Sequence, residues 1–264
     1  MIYYYVHTGH RIGLDRFRRA SVILKELDAD ITLLTSDYRI AQVAHKYGIK
    51  KAVGIDVVRN IPHIAKNGDK IILDSDEVNP IMLKDMKEYF SSFIYLHNDT
   101  IAIDKQFLEA KNRKNVAYTY FFGDDDYEKD LEKNIDFIAD LKPHLQLGFY
   151  YFLDYEDALR EKFDHCYDFE EYEKMIIETD ILITCSPQAV LDSLASGGKP
   201  IYIQREDYTQ DMNTLFKSLH IPIIENYDKD QLNILLKKIN SRKYVKITHN
   251  DNKIVNLIKE NLNL

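Results

Sequence analysis

Residues 180–203 read Asp-Ile-Leu-Ile-Thr-Cys-Ser-Pro-Gln-Ala-Val-Leu-Asp-Ser-Leu-Ala-Ser-Gly-Gly-Lys-Pro-Ile-Tyr-Ile, and they constrain the fold more than any other stretch. An apolar run ends in a small polar turn at residues 185–188. Ala189, Val190, Leu191, Leu194 and Ala195 then recur at helical spacing. Gly197 and Gly198 stop that helix, and Pro200 opens another apolar run. The order is strand, tight turn, helix, glycine stop, strand. In open α/β sheets ligands bind at the carboxyl ends of parallel strands, where this turn lies. The turn also supplies backbone N–H groups at a helix N-terminus, which attract phosphate.

The same alternation runs through nearly the whole chain. Strands are read at residues 2–7, 31–35, 70–73, 93–96, 115–122, 145–152, 166 and 221–224, besides the two just described. Helices are read at 14–27, 40–47, 80–89, 128–141, 156–163, 170–178, 210–219, 230–239 and 252–262. Strands separated by helices of about 10–15 residues predict βαβ units and parallel sheets. The polar, basic stretch at residues 110–115 lacks apolar periodicity and divides two strand-helix series. The expected division is an N-terminal Rossmann-like domain at 1–113 and a C-terminal one at 114–264. The last helix, with Ile254, Leu257, Ile258 and Leu262 on one face, is expected to pack back on the first domain. A single doubly wound sheet is the plainer alternative.

Composition narrows the function classes. A formal net charge of −8 with no basic stripe argues against nucleic acid as the main partner. Two distant cysteines, Cys166 and Cys185, suit a reducing compartment and give no disulfide framework. No apolar run approaches the length of a membrane span, and the first residues show no signal-peptide pattern, so a cytoplasmic protein is expected. Nineteen tyrosines beside no tryptophan have no explanation at this level.

Residues 180–203 resemble the nucleotide-sugar-binding segment of GT-B-fold enzymes. There a strand ends in Ser or Gly, a helix carries an acidic residue, and Gly-x-Pro leads into the next strand. Asp192 takes the acidic place, with residues 197–200 one longer than that spacing. The resemblance implies two Rossmann-like domains with parallel sheets facing across a cleft. It makes Ser186, Gln188 and Asp192 nucleotide contacts.

Residues 6–19, Val-His-Thr-Gly-His-Arg-Ile-Gly-Leu-Asp-Arg-Phe-Arg-Arg, are similar to the first loop of the UDP-sugar hydrolases of pseudaminic acid synthesis. More distantly they resemble the peptidoglycan glycosyltransferases. In the hydrolases this loop reads Ile-Gly-x-Gly-His-x-x-Arg, and its histidine is the proposed water-activating base. Aligned on Ile12 and Gly13, this chain has Asp15 for the second glycine and Arg16 for the histidine. Arginine cannot act as a general base near neutral pH. His10 is the first substitute, and Asp15 or Asp74 the next; a structural loop histidine is the alternative. Gly9, Gly13 and Arg16 would then line the ligand. Arg16, Arg18 and Arg19 can bind a diphosphate or a carboxylate, or solvate a helix face.

The resemblance also implies a diphosphate-cradling loop after the first strand of the second domain. Here Gly123 is followed by Asp124, Asp125 and Asp126. Such acids suit a helix start, and they repel a bare diphosphate. No cofactor is required on this reading and no metal-ligand set is expected. A divalent cation enters only if that loop lies in the site. Tyr172 belongs to the loop that would hold the base, and Gln210, Asp211 and Asn213 would touch sugar or ribose hydroxyls. For the last three a polar helix start is the alternative.

One rival motif is Lys-Ile-Ile-Leu-Asp-Ser-Asp-Glu-Val at residues 70–78. An Asp-x-Asp pair ending a strand can hold a divalent cation in a metal-dependent glycosyltransferase of another fold. It can also carry the nucleophile of a haloacid dehalogenase-type phosphotransferase, although there the motif sits on the first strand. In the GT-B reading Asp74 and Asp76 supply a base or an acceptor contact, and a pair of turn carboxylates is the structural alternative. The expected function is nucleotide-sugar processing in surface-glycan synthesis, with hydrolysis of a UDP-sugar first. A GT-B glycosyltransferase and a non-catalytic binding or scaffold protein are the alternatives.

Overall fold

Five strands make the first sheet: β1 (Ile2–Val6), β2 (Ile31–Thr35), β3 (Ala52–Gly54), β4 (Lys70–Asp74) and β5 (Ser92–Tyr95). They pair in parallel in the order β3-β2-β1-β4-β5. Tyr3, Tyr4, Tyr5 and Val6 are all buried, as a central parallel strand requires. The register sets Val6 opposite both Thr35 and Asp74, so the carboxyl ends of three strands meet at one edge of the sheet.

The second sheet has six strands: β6 (Val116–Phe121), β7 (His144–Gln146), β8 (Cys166–Tyr167), β9 (Thr179–Thr184), β10 (Ile201–Gln204) and β11 (Ile223–Glu225). Their order is β11-β10-β9-β6-β7-β8, again parallel. The helix Pro187–Ala195 joins β9 to β10. Ser186 caps it by accepting from the Ala189 amide at 3.1 Å, and Pro187 takes the first helical position.

The computed structural model describes residues 1–110, 114–247 and 253–264. Of the expected linker, residues 111–113 lie outside the described residues, as does residue 252 at the expected start of the last helix. The chain divides into two compact units, Met1–Ala102 with Asp251–Leu264, and Ile103–Asn250. The last helix, Lys253–Leu262, packs on β5 and on the first helix, Asp15–Leu27, within the first unit. It buries Val255, Ile258 and Leu262 there. Ser92 Oγ also donates to its Asn261 carbonyl at 3.0 Å. Among the described residues no helix is long and apolar enough to cross a membrane.

Two of the expected elements are cut short in the structure. The helix expected at 128–141 is one α turn, Asp130–Lys133, followed by two 3-10 turns, Ile135–Phe137 and Ala139–Leu141. The Asp130 carbonyl accepts both the Asn134 amide, at 3.0 Å, and the Asn134 side chain, at 2.8 Å, where the α turn ends. The strand expected at 145–152 stops at Gln146. Gly148 passes so close to the Gly123 carbonyl that a Cβ there would lie 2.6 Å from it. The chain turns instead, and the Tyr150 amide donates to the Asp124 carbonyl at 2.8 Å.

Candidate functional site

In the first sheet the connections run one way from β1 and the other way from β4. The loops leaving these two strands therefore open at a switch point. In the loop after β1 the amides of Ile12 and Gly13 both donate to the Gly9 carbonyl, at 3.1 and 2.9 Å. This turn needs φ of +146° at Gly9 and +74° at Gly13, conformations that favour glycine. His10 and Arg11 stand exposed at its tip.

The loop after β4 is fixed by charge. Asp74 is fully buried. It accepts from Tyr4 OH at 3.0 Å, from Arg19 Nε at 3.0 Å and from Arg19 Nη2, with Arg16 Nε 3.6 Å away. A buried carboxylate persists only with such partners. Arg19 spends its remaining nitrogen on the carbonyls of His97, Asn98 and Thr100. Arg16 and Arg19, three residues apart, share one helix face and both turn to the end of β4.

Asp76, two residues on, is half-exposed and holds His7. The His7 Nδ1 lies 2.6 Å from Asp76 Oδ1. Because a carboxylate can only accept, Nδ1 carries a proton in this contact, and in the neutral ring that leaves the lone pair on Nε2. Arg16 Nη2 holds the other carboxylate oxygen at 3.1 Å. The hydrogen bond from His7, with the Arg16 charge, keeps the Asp76 carboxyl well below its ordinary value. A histidine oriented by an ionised carboxylate at a strand end can accept a proton and have the resulting charge stabilised.

In the second sheet the switch point lies between β6 and β9. Buried Asp192 accepts from Tyr172 OH at 2.8 Å and from Gln188 Nε2 at 2.9 Å. Tyr172 in turn packs edge-on against Phe121 at the end of β6. Tyr172, Gln188 and Asp192 thus form one network beside capped Ser186.

The loop after β6 begins at Gly123, with φ +129°, and Asp124, Asp125 and Asp126 are all buried. Asp126 accepts from the amides of Asp130 and Leu131, at 2.7 and 3.0 Å, and from Tyr155 OH at 2.6 Å. Burial raises its carboxyl, against these hydrogen bonds, which lower it. It is spent on the short helix behind it. Among the described residues no group of three His, Cys, Asp or Glu is arranged to hold a metal ion.

The remaining expected residues are dispersed. Asp15 sits in the first turn of its helix, with Arg18 Nη1 3.7 Å away. Gln210 and Asp211 are exposed beyond β10, and Thr209 Oγ1 donates to Asp211 at 2.9 Å. Asn213 lines a separate polar pocket of about 870 Å³ with Lys217, Glu225, Asn226, Asp228 and Gln231. A role as base expects an accessible carboxylate of Asp74, which is enclosed instead. Sequence reasoning gave no role to His7. Its signal was position, as the first residue past the apolar run of β1 and so at a parallel strand's carboxyl end.

No family model and no curated protein matches this sequence. Solved structures do resemble it. The UDP-GlcNAc 2-epimerase of Methanocaldococcus jannaschii, in complex with UDP-GlcNAc and UDP, aligns at TM-score 0.61 and 11% identity. That alignment covers 98% of this chain and 100% of that one. A glycosyltransferase from Rickettsia africae ESF-5 aligns at 0.56 and 10% identity, over 91% and 88% of the two chains. MurG of Acinetobacter baumannii aligns at 0.52 and 11% identity, over 98% and 99%. At such identities the likeness establishes the fold: an α/β, GT-B-like chain with two Rossmann-like parallel sheets.

Proposed function

We propose that this chain processes a nucleotide-sugar in glycan synthesis; the second unit carries a candidate nucleotide network, and the first carries a candidate base. The observation that carries the reading is the His7–Asp76 pair at the first sheet's switch point. Support for the nucleotide comes from the Tyr172–Gln188–Asp192 network at the second switch point, and from the nucleotide-sugar ligands of the UDP-GlcNAc 2-epimerase that shares the fold.

The chemistry follows from the hydrogen bonds. His7 Nε2 removes a proton from a hydroxyl as its oxygen attacks the anomeric carbon. The bond from that carbon to the diphosphate oxygen breaks, and the electron pair leaves with the nucleoside diphosphate. Asp76 stabilises the imidazolium formed, and Arg16 keeps Asp76 ionised. Water as the hydroxyl gives hydrolysis of a UDP-sugar, the first reading. An acceptor sugar gives transfer, which the same base serves equally and which is the activity named for the Rickettsia neighbour.

Incubation with a panel of UDP-sugars tests this. Free sugar released without acceptor means hydrolysis, and UDP released only with an acceptor means transfer. In either case His7→Ala is expected to lower turnover by about 10²–10⁴-fold, the range of a general base. Asp76→Asn should lower it by a comparable factor, because its amide must turn NH2 towards either His7 Nδ1 or Arg16 and cannot balance the imidazolium charge. Turnover unchanged in His7→Ala removes the base from His7. Absence of both turnover and binding across the panel favours a scaffold.

A further inference from the structure

The group that stands out beyond the proposed chemistry is Arg205, the first residue after β10. Its guanidinium is buried and lies between two rings, 4.4 Å from the centroid of Phe122 and 4.5 Å from that of Tyr208. Its Nη1 donates to the Asp125 carbonyl at 3.1 Å. The side chain therefore reaches from the end of β10 to the loop after β6, and the sheet order places the end of β9 between them. With two rings packed against it and Nη1 anchored on the Asp125 carbonyl, the guanidinium offers its Nε–Nη2 edge to a partner. That partner is Asp207, two residues away, which accepts from Nε at 2.8 Å and Nη2 at 2.6 Å.

Three features separate this pair from an ordinary structural ion pair. The Asp207 side chain is 49% exposed while that of Arg205 is 6% exposed, so only one partner is held by the fold. The turn between them is pinned independently of the pair, because Gln204 Nε2 donates to the carbonyls of Arg205 and Tyr208, at 2.8 and 3.1 Å. Asp207 can swing away without the turn unravelling. Finally, Gly123 leaves a space beside the guanidinium. The point where its Cβ would stand is 3.9 Å from both Arg205 Nη1 and Tyr208 OH, so no side chain covers the guanidinium from that position. A planar, desolvated guanidinium fork matches the paired oxygens of a phosphoryl or carboxylate group.

We propose that the Nε–Nη2 edge of Arg205 is an oxyanion site that Asp207 keeps occupied, so that an entering phosphoryl or carboxylate group must displace the chain's own carboxylate. Asp207 is a built-in competitor. It sets a threshold for ligand entry and rejects anions too weak to replace a bidentate partner. The proposal deepens the nucleotide reading and rests on it for the source of the oxyanion alone.

Calorimetry with inorganic pyrophosphate and, separately, citrate tests it on the full chain. Asp207→Ala is expected to tighten at least one of them by about tenfold or more, since a competing charge-assisted pair is removed. Glu206→Ala, an exposed neighbour, changes net charge equally and should give no such gain. Arg205→Lys in the Asp207→Ala background keeps the charge but not the fork, and should abolish the gain. A gain for pyrophosphate assigns a phosphoryl group; a gain for citrate assigns a carboxylate. Equal affinities in the wild type and Asp207→Ala overturn the proposal, as does a gain that Glu206→Ala reproduces or that survives Arg205→Lys. The probes carry no sugar or base, so these results stand apart from the outcome of the UDP-sugar panel.

Discussion

Asp74 and Asp76 are two residues apart and do opposite things, because one is enclosed and the other is not. Asp74 has no exposed surface and neutralises Arg19. Asp74→Asn leaves that guanidinium buried without its counter-charge and is expected to cost about 3–5 kcal/mol in urea unfolding. A loss below about 1 kcal/mol would mean that the carbonyls around Arg19 suffice. Asp76 behaves as a depressed carboxylate. Its contribution is complete above its ordinary value of 3.8 and is lost as pH falls through the lower folded value. The Asp-x-Asp motif was legible from residues 70–78. Its partners were not, because Tyr4 and Asp74 meet across about seventy positions, through a register that only the folded sheet defines. The surplus of tyrosine gains an explanation at the same scale. Tyr4, Tyr5, Tyr155, Tyr167 and Tyr172 each donate to a carboxylate, of Asp74, Glu77, Asp126, Glu178 and Asp192 in turn. A phenol fills apolar space and still donates to an acid, and Asp74, Asp126 and Asp192 among these acids are buried.

Among the elements, the strand–turn–helix–strand unit around Pro187–Ala195 was the most legible, because its signals are local: a serine cap, a proline at the first helical position and glycines at the end. The loops after β6 and β7 were not legible, since each takes its shape from the other. Gly148 makes the close approach possible, and a Cβ there would stand 2.6–2.7 Å from Gly123, Asp124 and Tyr151. Two of those three neighbours offer backbone atoms, which cannot move aside cheaply. Gly148→Ala is therefore expected to destabilise by about 1–3 kcal/mol, the cost of overpacking, and to lower the midpoint of thermal unfolding followed by circular dichroism. An unchanged midpoint would show that the two loops separate freely.

For the molecule as a whole, alternation of strands and helices was enough to imply two Rossmann-like parallel sheets, and the structure has them. The short edge strand β3 escaped notice because three half-exposed residues leave no apolar run. Tyr172, Gln188 and Asp192 gather as one network, while Gln210, Asp211 and Asn213 disperse along the turn and helix after β10. Polar residues in loops carry no periodicity, so nothing in the sequence separates ligand contacts from solvated positions. The central claim is that the second unit binds a nucleotide through Asp192. Calorimetric titration of UDP into the wild type and Asp192→Asn measures this directly. The wild type is expected to bind one UDP per chain, and Asp192→Asn to bind it about ten- to hundredfold more weakly, the cost of losing charge-assisted hydrogen bonds. Absence of UDP binding to the wild type, or equal affinity in the two proteins, would contradict the account.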